Sequence, residues 1–251
     1  MVTTQQLVQY CDQELAIACK DGCPNGLQVE GCEQTAILIT GVTASMELLR
    51  QAHARGAQAI LVHHGYFWRS QPRVITGWMQ QRLKFLLQHN INLIAYHLPL
   101  DYHRIWGNNV QLAKHLGWQI DRPMHSHAGI AIGMLGYLDK ATPLHTFVDI
   151  IAHKLSHSPI VIQGHNRPIK NIAWCTGAAG DDIEYAAQAG VDAYITGEIS
   201  ESIVHVAKET AMVVIAAGHH ATERYGVQAL GHHLAKKFDL KHEYVEVNSP
   251  I

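Results

Sequence analysis

The chain lacks most of the features that would place it outside a globular protein of the cell interior. Its five cysteines are an odd number at irregular spacing, with no C-x-x-C among them, which argues against a disulfide framework and against paired-thiolate zinc motifs. Cys19, Cys23 and Cys32 can be imagined as ligands, but ordinary thiols in a reducing cytosol are the expectation. Charge of either sign is scarce: 19 Lys+Arg stand against 21 Asp+Glu, for a formal net charge of -2. That balance gives no global signal for nucleic acid or an anionic membrane, and leaves a local basic pocket open. The opening MVTTQQLVQYCDQEL has no basic segment followed by an apolar one, so no secretory signal is expected. The longest apolar stretches, such as Gly129 to Leu138, are too short to span a bilayer. There is no P-loop and no G-x-S-x-G, and GIAIGMLG does not follow G-x-G-x-x-G. A cytoplasmic protein with no membrane partner is expected.

What is present is 47% hydrophobic residues in 251, enough for a sizeable core in one large domain or two ordinary ones. The unusual number is 19 histidines, as many as all lysines and arginines together. His232 and His233 fall in a terminal helical pattern where exposure suffices to explain them. His125 and His127 form an H-x-H in what reads as a polar connector, without the strand that would make it a metal pair.

Short apolar runs alternate with helical patterns, which predicts β-α units and largely parallel sheet. AILITGV (36–42), AILVHH (59–64) and INLIAYH (91–97) read as strands, separated by helices over SMELLRQAHARG and Trp78 to Gln88, with a helix near Asn109 to Leu116 closing the first half. NIAWCTG, VDAYITGE and AMVVIAAGHH repeat that order, with helices over DDIEYAAQAG and Glu201 to Lys208 and a last one after Ala221. GAQAILVHH (56–64) aligns with GVDAYITGE (190–198) without a gap, at an offset of 134 residues. Two ordinary β-α units can look alike by chance, but element order, glycine stops and strand ends agree together, so an internal duplication is expected. The halves are placed at 1–125 and 126–251, with the boundary near Asp121 to Ser126 and no long linker.

Open α/β sheets bind ligands at the carboxyl ends of their strands. Those ends supply His63 and His64, then His97 and Asp101 from YHLPLD, then Thr196, Gly197 and Glu198 from ITGE, then His219, His220 and Glu223 from GHHATER. In GHHATER, His219 and Glu223 are four apart and share a helical face, and His220 and Glu223 are three apart. A polar first helical turn explains the same residues, as does a turn stabilised by Asp101 after Pro99, or a solvated strand end at Glu198. Neighbouring side chains on a strand point to opposite faces, so His63 and His64 serve one site only if the chain is leaving the sheet, with Gly65 as the turn. They would then reach two ions about 3.5–4 Å apart. Imidazole with carboxylate suits zinc, iron or manganese better than calcium. Two such ions with Asp101 and Glu223 leave positive charge for hydroxide and an anionic substrate, and acidify bound water towards a pKa of about 7.

PNGLQVEG (24–31), GVTAS (41–45), LVHHGYFW (61–68), HLPLD, ITGE and AAGHHATER together resemble the type 2 GTP cyclohydrolase I family, also described as NGG-interacting-factor-three-like proteins, and in particular its bacterial YbgI-type members. The matching motifs run from Pro24 to Arg224. The resemblance implies two intertwined, duplicated α/β domains with mixed, mostly parallel sheets flanked by helices and a dinuclear metal site between them. It implies that His63, His64, Asp101 and His219 each bind a metal, that Glu223 bridges both, and that His97 and Glu198 line the site and move protons. It further implies two divalent transition-metal ions per subunit, a toroidal homohexamer, and hydroxide attack on C8 of GTP with release of formate. The alternatives are a hydrolase of another or damaged nucleotide, and a non-enzymatic metal-binding or regulatory ring. A ring around nucleic acid ranks lowest, because no basic stripe supports it.

Overall fold

Strands rich in Ile, Leu and Val, each followed by an amphipathic segment, build three parallel strands in succession twice along the chain. The computed structural model describes residues 1–16, 21–127 and 130–251, so Cys19 and Gly129 lie outside it. In chain order the elements are β1 (Val2–Thr3), α1 (Thr4–Glu14), β2 (Gly26–Val29), β3 (Gln34–Thr35), β4 (Ile37–Thr43), α2 (Met46–Ala54), β5 (Ala59–His64), α3 (Gly77–Gln88), β6 (Asn92–Ala95) and α4 (Leu98–Tyr102). Then come α5 (Asn108–Leu116), β7 (Gln119–His127), β8 (Ile130–Thr142), α6 (Leu144–Leu155), β9 (Ile160–Ile162), β10 (Ile169–Cys175), α7 (Ile183–Gln188), β11 (Ala193–Thr196), α8 (Glu201–Glu209), β12 (Val213–Ala216), α9 (His219–Phe238) and β13 (Lys241–Tyr244).

These elements form two units. One comprises Met1–Trp106 with Gly226–Asn248, the other Gly107–Tyr225 with Ser249–Ile251. The first holds a five-stranded sheet in the order β13-β4-β5-β6-β2, parallel except for β2. Ile39, Ile60 and Leu93 face Leu48 and Leu49 of α2 and Leu86 of α3. The alternate residues Leu38, Leu61 and Ile94 face Leu7 of α1 and Leu230 and Leu234 of α9. Both faces are covered, which is why these strands read as continuous apolar runs rather than alternating ones.

The second unit holds a six-stranded sheet, β7-β8-β10-β11-β12-β9, in which only β10, β11 and β12 run parallel. Trp174, Ile195 and Val213 pack with Leu116 of α5 and Phe147 of α6. Tyr194 and Val214 on the other face pack with Ile183 of α7 and Ile203 of α8. Each unit thus carries strand-helix-strand-helix-strand with the three strands parallel, β4-α2-β5-α3-β6 in one and β10-α7-β11-α8-β12 in the other.

The division of the chain differs from the expected boundary at 125/126. The helix expected to close the first half, α5, packs in the second unit, where Trp174 Nε1 donates to the Asn109 carbonyl at 3.0 Å. The last helix does the reverse. From Gly226 onward it supplies Val227, Leu230 and Leu234 to the first unit's core, and β13 then pairs with β4 from Lys241 opposite Ile37. The polar stretch Asp121 to Ser126 is no connector but the middle of β7, paired antiparallel with β8. His125 and His127 therefore do stand on a strand, and His125 stacks on Tyr185 at 3.8 Å with its Nε2 3.3 Å from Asp182.

Register also refines the repeat. Val62 pairs with Ala95, and Thr196, 134 residues after Val62, pairs with Ala216. Two residues beyond these partners stand His97 and Gly218, so His219 is one position past the counterpart of His97. No helix of the described residues is long and apolar enough to cross a membrane.

Leu230 is fully buried. Leu230→Ala is expected to cost about 2–5 kcal/mol, measured by urea denaturation; a near-neutral change would contradict its place in the first unit's core.

Candidate metal centre

In the first unit the donors gather where β5 and β6 end. His63, the penultimate residue of β5, is fully buried, and its Nδ1 lies 3.0 Å from the Tyr96 carbonyl oxygen. A carbonyl only accepts, so Nδ1 carries a proton and Nε2 is the nitrogen left to face the site. That Nε2 is 3.5 Å from Asp101 Oδ1. An imidazole nitrogen and a carboxylate oxygen this close can share a proton or a metal cation. His64 Nδ1 is 3.2 Å from Thr43 Oγ1, its neighbour on β4. The two rings lie 4.6 Å apart, although His64 is still paired with Thr43 as the last residue of β5. Gly65 has another role than the one expected. Its φ is not positive, but a Cβ there would sit 2.2 Å from Gln28 Oε1 and 2.6 Å from Ala95 Cβ. It is glycine for close packing against β2 and β6.

His97 is the N-cap residue of α4, with its ring 5.0 Å from that of His63 and 5.7 Å from that of His64. Donor atoms of the three imidazoles all lie within 4.8 Å of one another. Asp21, which no sequence motif singled out, orients His97 by accepting from its Nδ1 at 2.7 Å. Asp21 also accepts from Gly22 N, from Asn25 Nδ2 at 3.0 Å and from Leu98 N at 2.9 Å. Burial pushes this carboxyl up, but the hydrogen bonds from His97, Asn25 and Leu98 outweigh it and hold the group at about 2. Asp21, Cys23 and His97 also form a compact donor group. With four N–H groups on the carboxylate and burial pushing the Cys23 thiol up to about 12, it reads as support for His97. Cys32 Sγ donates to the Asn90 carbonyl. No disulfide joins the described cysteines. Pro99 stands in the first turn of the short helix α4, and Asp101, in the same helix, places its Oδ1 3.5 Å from His63 Nε2.

The second unit gathers Glu198, His219 and Glu223. His219 opens α9, and its Nε2 lies 2.9 Å from Glu223 Oε2 one turn on. The four-residue spacing closes. His219 Nδ1 meets Glu198 Oε1 in a short contact. Burial pulls the His219 pKa down, but the hydrogen bonds and charges of Glu223 and then Glu198 raise it to about 9. A proton on this imidazole lets it pair with two carboxylates at once but leaves one negative charge over, which a divalent ion in a ligand set of this kind would balance. Gly177, another residue the motifs missed, makes room for it. Its φ is +72°, and a Cβ there would lie 2.0 Å from Glu223 Oε1. Its N–H donates to Thr222 Oγ1 at 3.1 Å, and Thr222 donates in turn to the His219 carbonyl at 3.0 Å.

The donor sets fit divalent transition metals. They combine imidazole with carboxylate, and an acceptor orients each of three rings: the buried Tyr96 carbonyl for His63, the buried Asp21 for His97 and the partly exposed Glu198 for His219.

Comparison with known proteins bears out the resemblance read from the motifs. The family model described as Duf34/NIF3 (NGG1p interacting factor 3) matches residues 2–250. A Pseudomonas aeruginosa protein named GTP cyclohydrolase 1 type 2 homolog is 46% identical over 250 residues, 99% of each chain. Among solved structures, the protein ybgI, described as of unknown function, is 40% identical with a TM-score of 0.95 and covers 100% of both chains. A Thermus thermophilus protein is 31% identical with a TM-score of 0.88, again over 100% of both.

Two outcomes are expected. In metal-free protein the folded-state pKa of His219, about 9, is above its ordinary 6.5. Its ion pairing therefore stabilises fully below about pH 6.5 and fades as pH rises through about 9. The stability gap between parent and His219→Gln should narrow over that window in urea titrations. A gap that widened with pH would show the opposite sign of linkage. Gly177→Ala places a methyl against Glu223 at a left-handed φ, and should lose about 1–3 kcal/mol by the same measurement.

Proposed function

Because the chain belongs to the Duf34/NIF3 family, we propose that it is a dinuclear metal-dependent hydrolase acting on a purine nucleotide, opening the imidazole ring of GTP at C8 with release of formate. The name carried by the Pseudomonas aeruginosa relative supplies the substrate. The observation that carries the reading is the donor arrangement: the Nε2 of a deeply buried histidine, His63, turned by a backbone carbonyl toward the Asp101 carboxylate.

In this reading His63, His64, Asp101 and His219 would each help hold one of two metal ions, with Glu223 serving both. Two divalent ions, zinc, iron or manganese, would supply Lewis acidity at the purine and an acidified water at neutral pH. The chain's own residues do the rest. Tyr96 and Thr43 keep the first two imidazoles oriented, and Glu198 orients His219. Asp21 keeps the proton of His97 on Nδ1, so Nε2 is the atom that would take a proton from the water attacking C8 and return it to N9 as the C8–N9 bond breaks, after which a second water would cleave the C8–N7 formamide to release formate. Glu198, with a side chain 43% exposed, is the second group assigned to proton transfer. The family likeness extends the proposal to a toroidal homohexamer working in the cytoplasm.

Purification without chelator should give about two transition-metal ions per chain, and Glu223→Ala and His63→Ala should each lower that content. Metal-reconstituted protein should release formate from GTP, with the release abolished in Glu223→Ala. Variants that bind metal as the parent does would remove the centre, and turnover of other nucleotides without GTP would replace the substrate. Light scattering should report a mass of six chains.

A further inference from the structure

Between Glu47 and Asp101 the chain carries six arginines and lysines and not one Asp or Glu, although the whole chain has a formal charge of -2. Arg55 is matched by Glu243 at 2.8 Å. Arg69 and Arg73, on the loop that leaves β5, are exposed and join no ion pair among the described residues.

The same loop carries an aromatic pair beside the imidazole cluster. The Trp68 indole lies 4.8 Å from the His97 ring, nearly perpendicular to it at 81°, and 6.0 Å from the His64 ring. It is held in place: its Nε1 donates to the Gly65 carbonyl at 3.1 Å, and its benzo ring packs on Gly22, where a Cβ would sit 3.4 Å from Cε3 and Cζ3. The next residue's N–H, that of Arg69, donates to the Gly22 carbonyl at 2.8 Å. Yet Trp68 is only half-buried, and Phe67 before it is 41% exposed with a φ of 64°. A non-glycine residue in the left-handed region is strained, and such strain persists where surrounding structure imposes it, commonly at ligand sites.

A pinned, half-exposed indole beside metal-type donors offers a π-face to a planar heterocycle, and unmatched arginines on the same loop offer charge to phosphate. We infer that Trp68 is the stacking platform for the base of a nucleotide and that Arg69 and Arg73 contact its phosphates. The inference rests on the proposed hydrolase reading for what happens to the base, but not for the binding itself. Trp68, Arg69 and Arg73 are positioning residues, not members of the reacting set.

The test is equilibrium titration of the full chain with GTP and with guanosine, metal-loaded and metal-free. GTP should bind more tightly than guanosine. Trp68→Leu should weaken both ligands by about tenfold, while Trp68→Phe, which keeps a π-face, should retain most of the affinity. The Arg69→Ala/Arg73→Ala double variant should bring GTP close to guanosine and flatten the salt dependence of GTP binding. Bound metal should stay at the parent's level in all three. Parent-like GTP binding by Trp68→Leu, or discrimination for GTP that survives loss of both arginines, would overturn the inference, as would a parent that binds GTP in neither state. So would variants that alter only the oligomeric mass, which would make the loop a contact between copies of the chain. A parent that binds GTP but takes up no metal would sink the dinuclear reading and leave this one standing.

Discussion

Parallel pairing of the central strands is the constraint on which the candidate centre depends. In the first unit the backbone ladder sets His64 opposite Thr43 and Val62 opposite Ala95, which carries Tyr96 and His97 past the end of β6 to the level of His63. The Tyr96 carbonyl is then within hydrogen-bond reach of His63, and the three imidazoles converge. In the second unit the equivalent pairing of Thr196 with Ala216 carries Glu198 and His219 to one place. A register slip of one residue would send each of these side chains to the other face. The apolar faces that hold the register, Ile39 with Ile60 on one side and Leu38 with Leu61 on the other, are therefore as much a part of the site as its histidines.

Charge explains why so many supporting residues are needed. Asp21, Glu223 and His63 are almost fully buried, and a buried ionised group is tolerated only when paired or hydrogen-bonded. Asp21 meets that requirement with four N–H groups and so stays ionised, which fixes the proton of His97. Glu223 meets it with His219, whose imidazole becomes basic as a result. A divalent cation answers the same electrostatic demand more fully than a proton. The rings are already oriented by these partners, and His219 would exchange its proton for the ion on ligation.

The legible part of this arrangement was local. A glycine-free apolar run ending in two histidines marks a strand end, and four-residue spacing marks His219 and Glu223 as one helical face. Both depend only on neighbours in the chain. Asp21 was not legible, because it meets His97 across 76 residues and sits in no periodic pattern. Gly177 was not, because its requirement is the empty space beside Glu223. The polar run Asp121 to Ser126 resembled a connector because β7 is the edge of its sheet, where strand residues face solvent and the apolar signature disappears.

By itself, then, the amino-acid sequence determined the β-α alternation, the duplication through β5 and β11, the residue types at the strand ends and, through motifs of several residues, the family. These follow from short-range periodicity and from side-chain chemistry. Only the tertiary structure decided that α5 belongs with the second unit's strands and most of α9 with the first unit's, since helices of similar amphipathicity can cover either sheet and the choice lies in which core receives Leu116 and Leu230. It also decided which nitrogen of each histidine is committed to a backbone or carboxylate acceptor, because those acceptors are brought up by strand register and by loops far away in the chain.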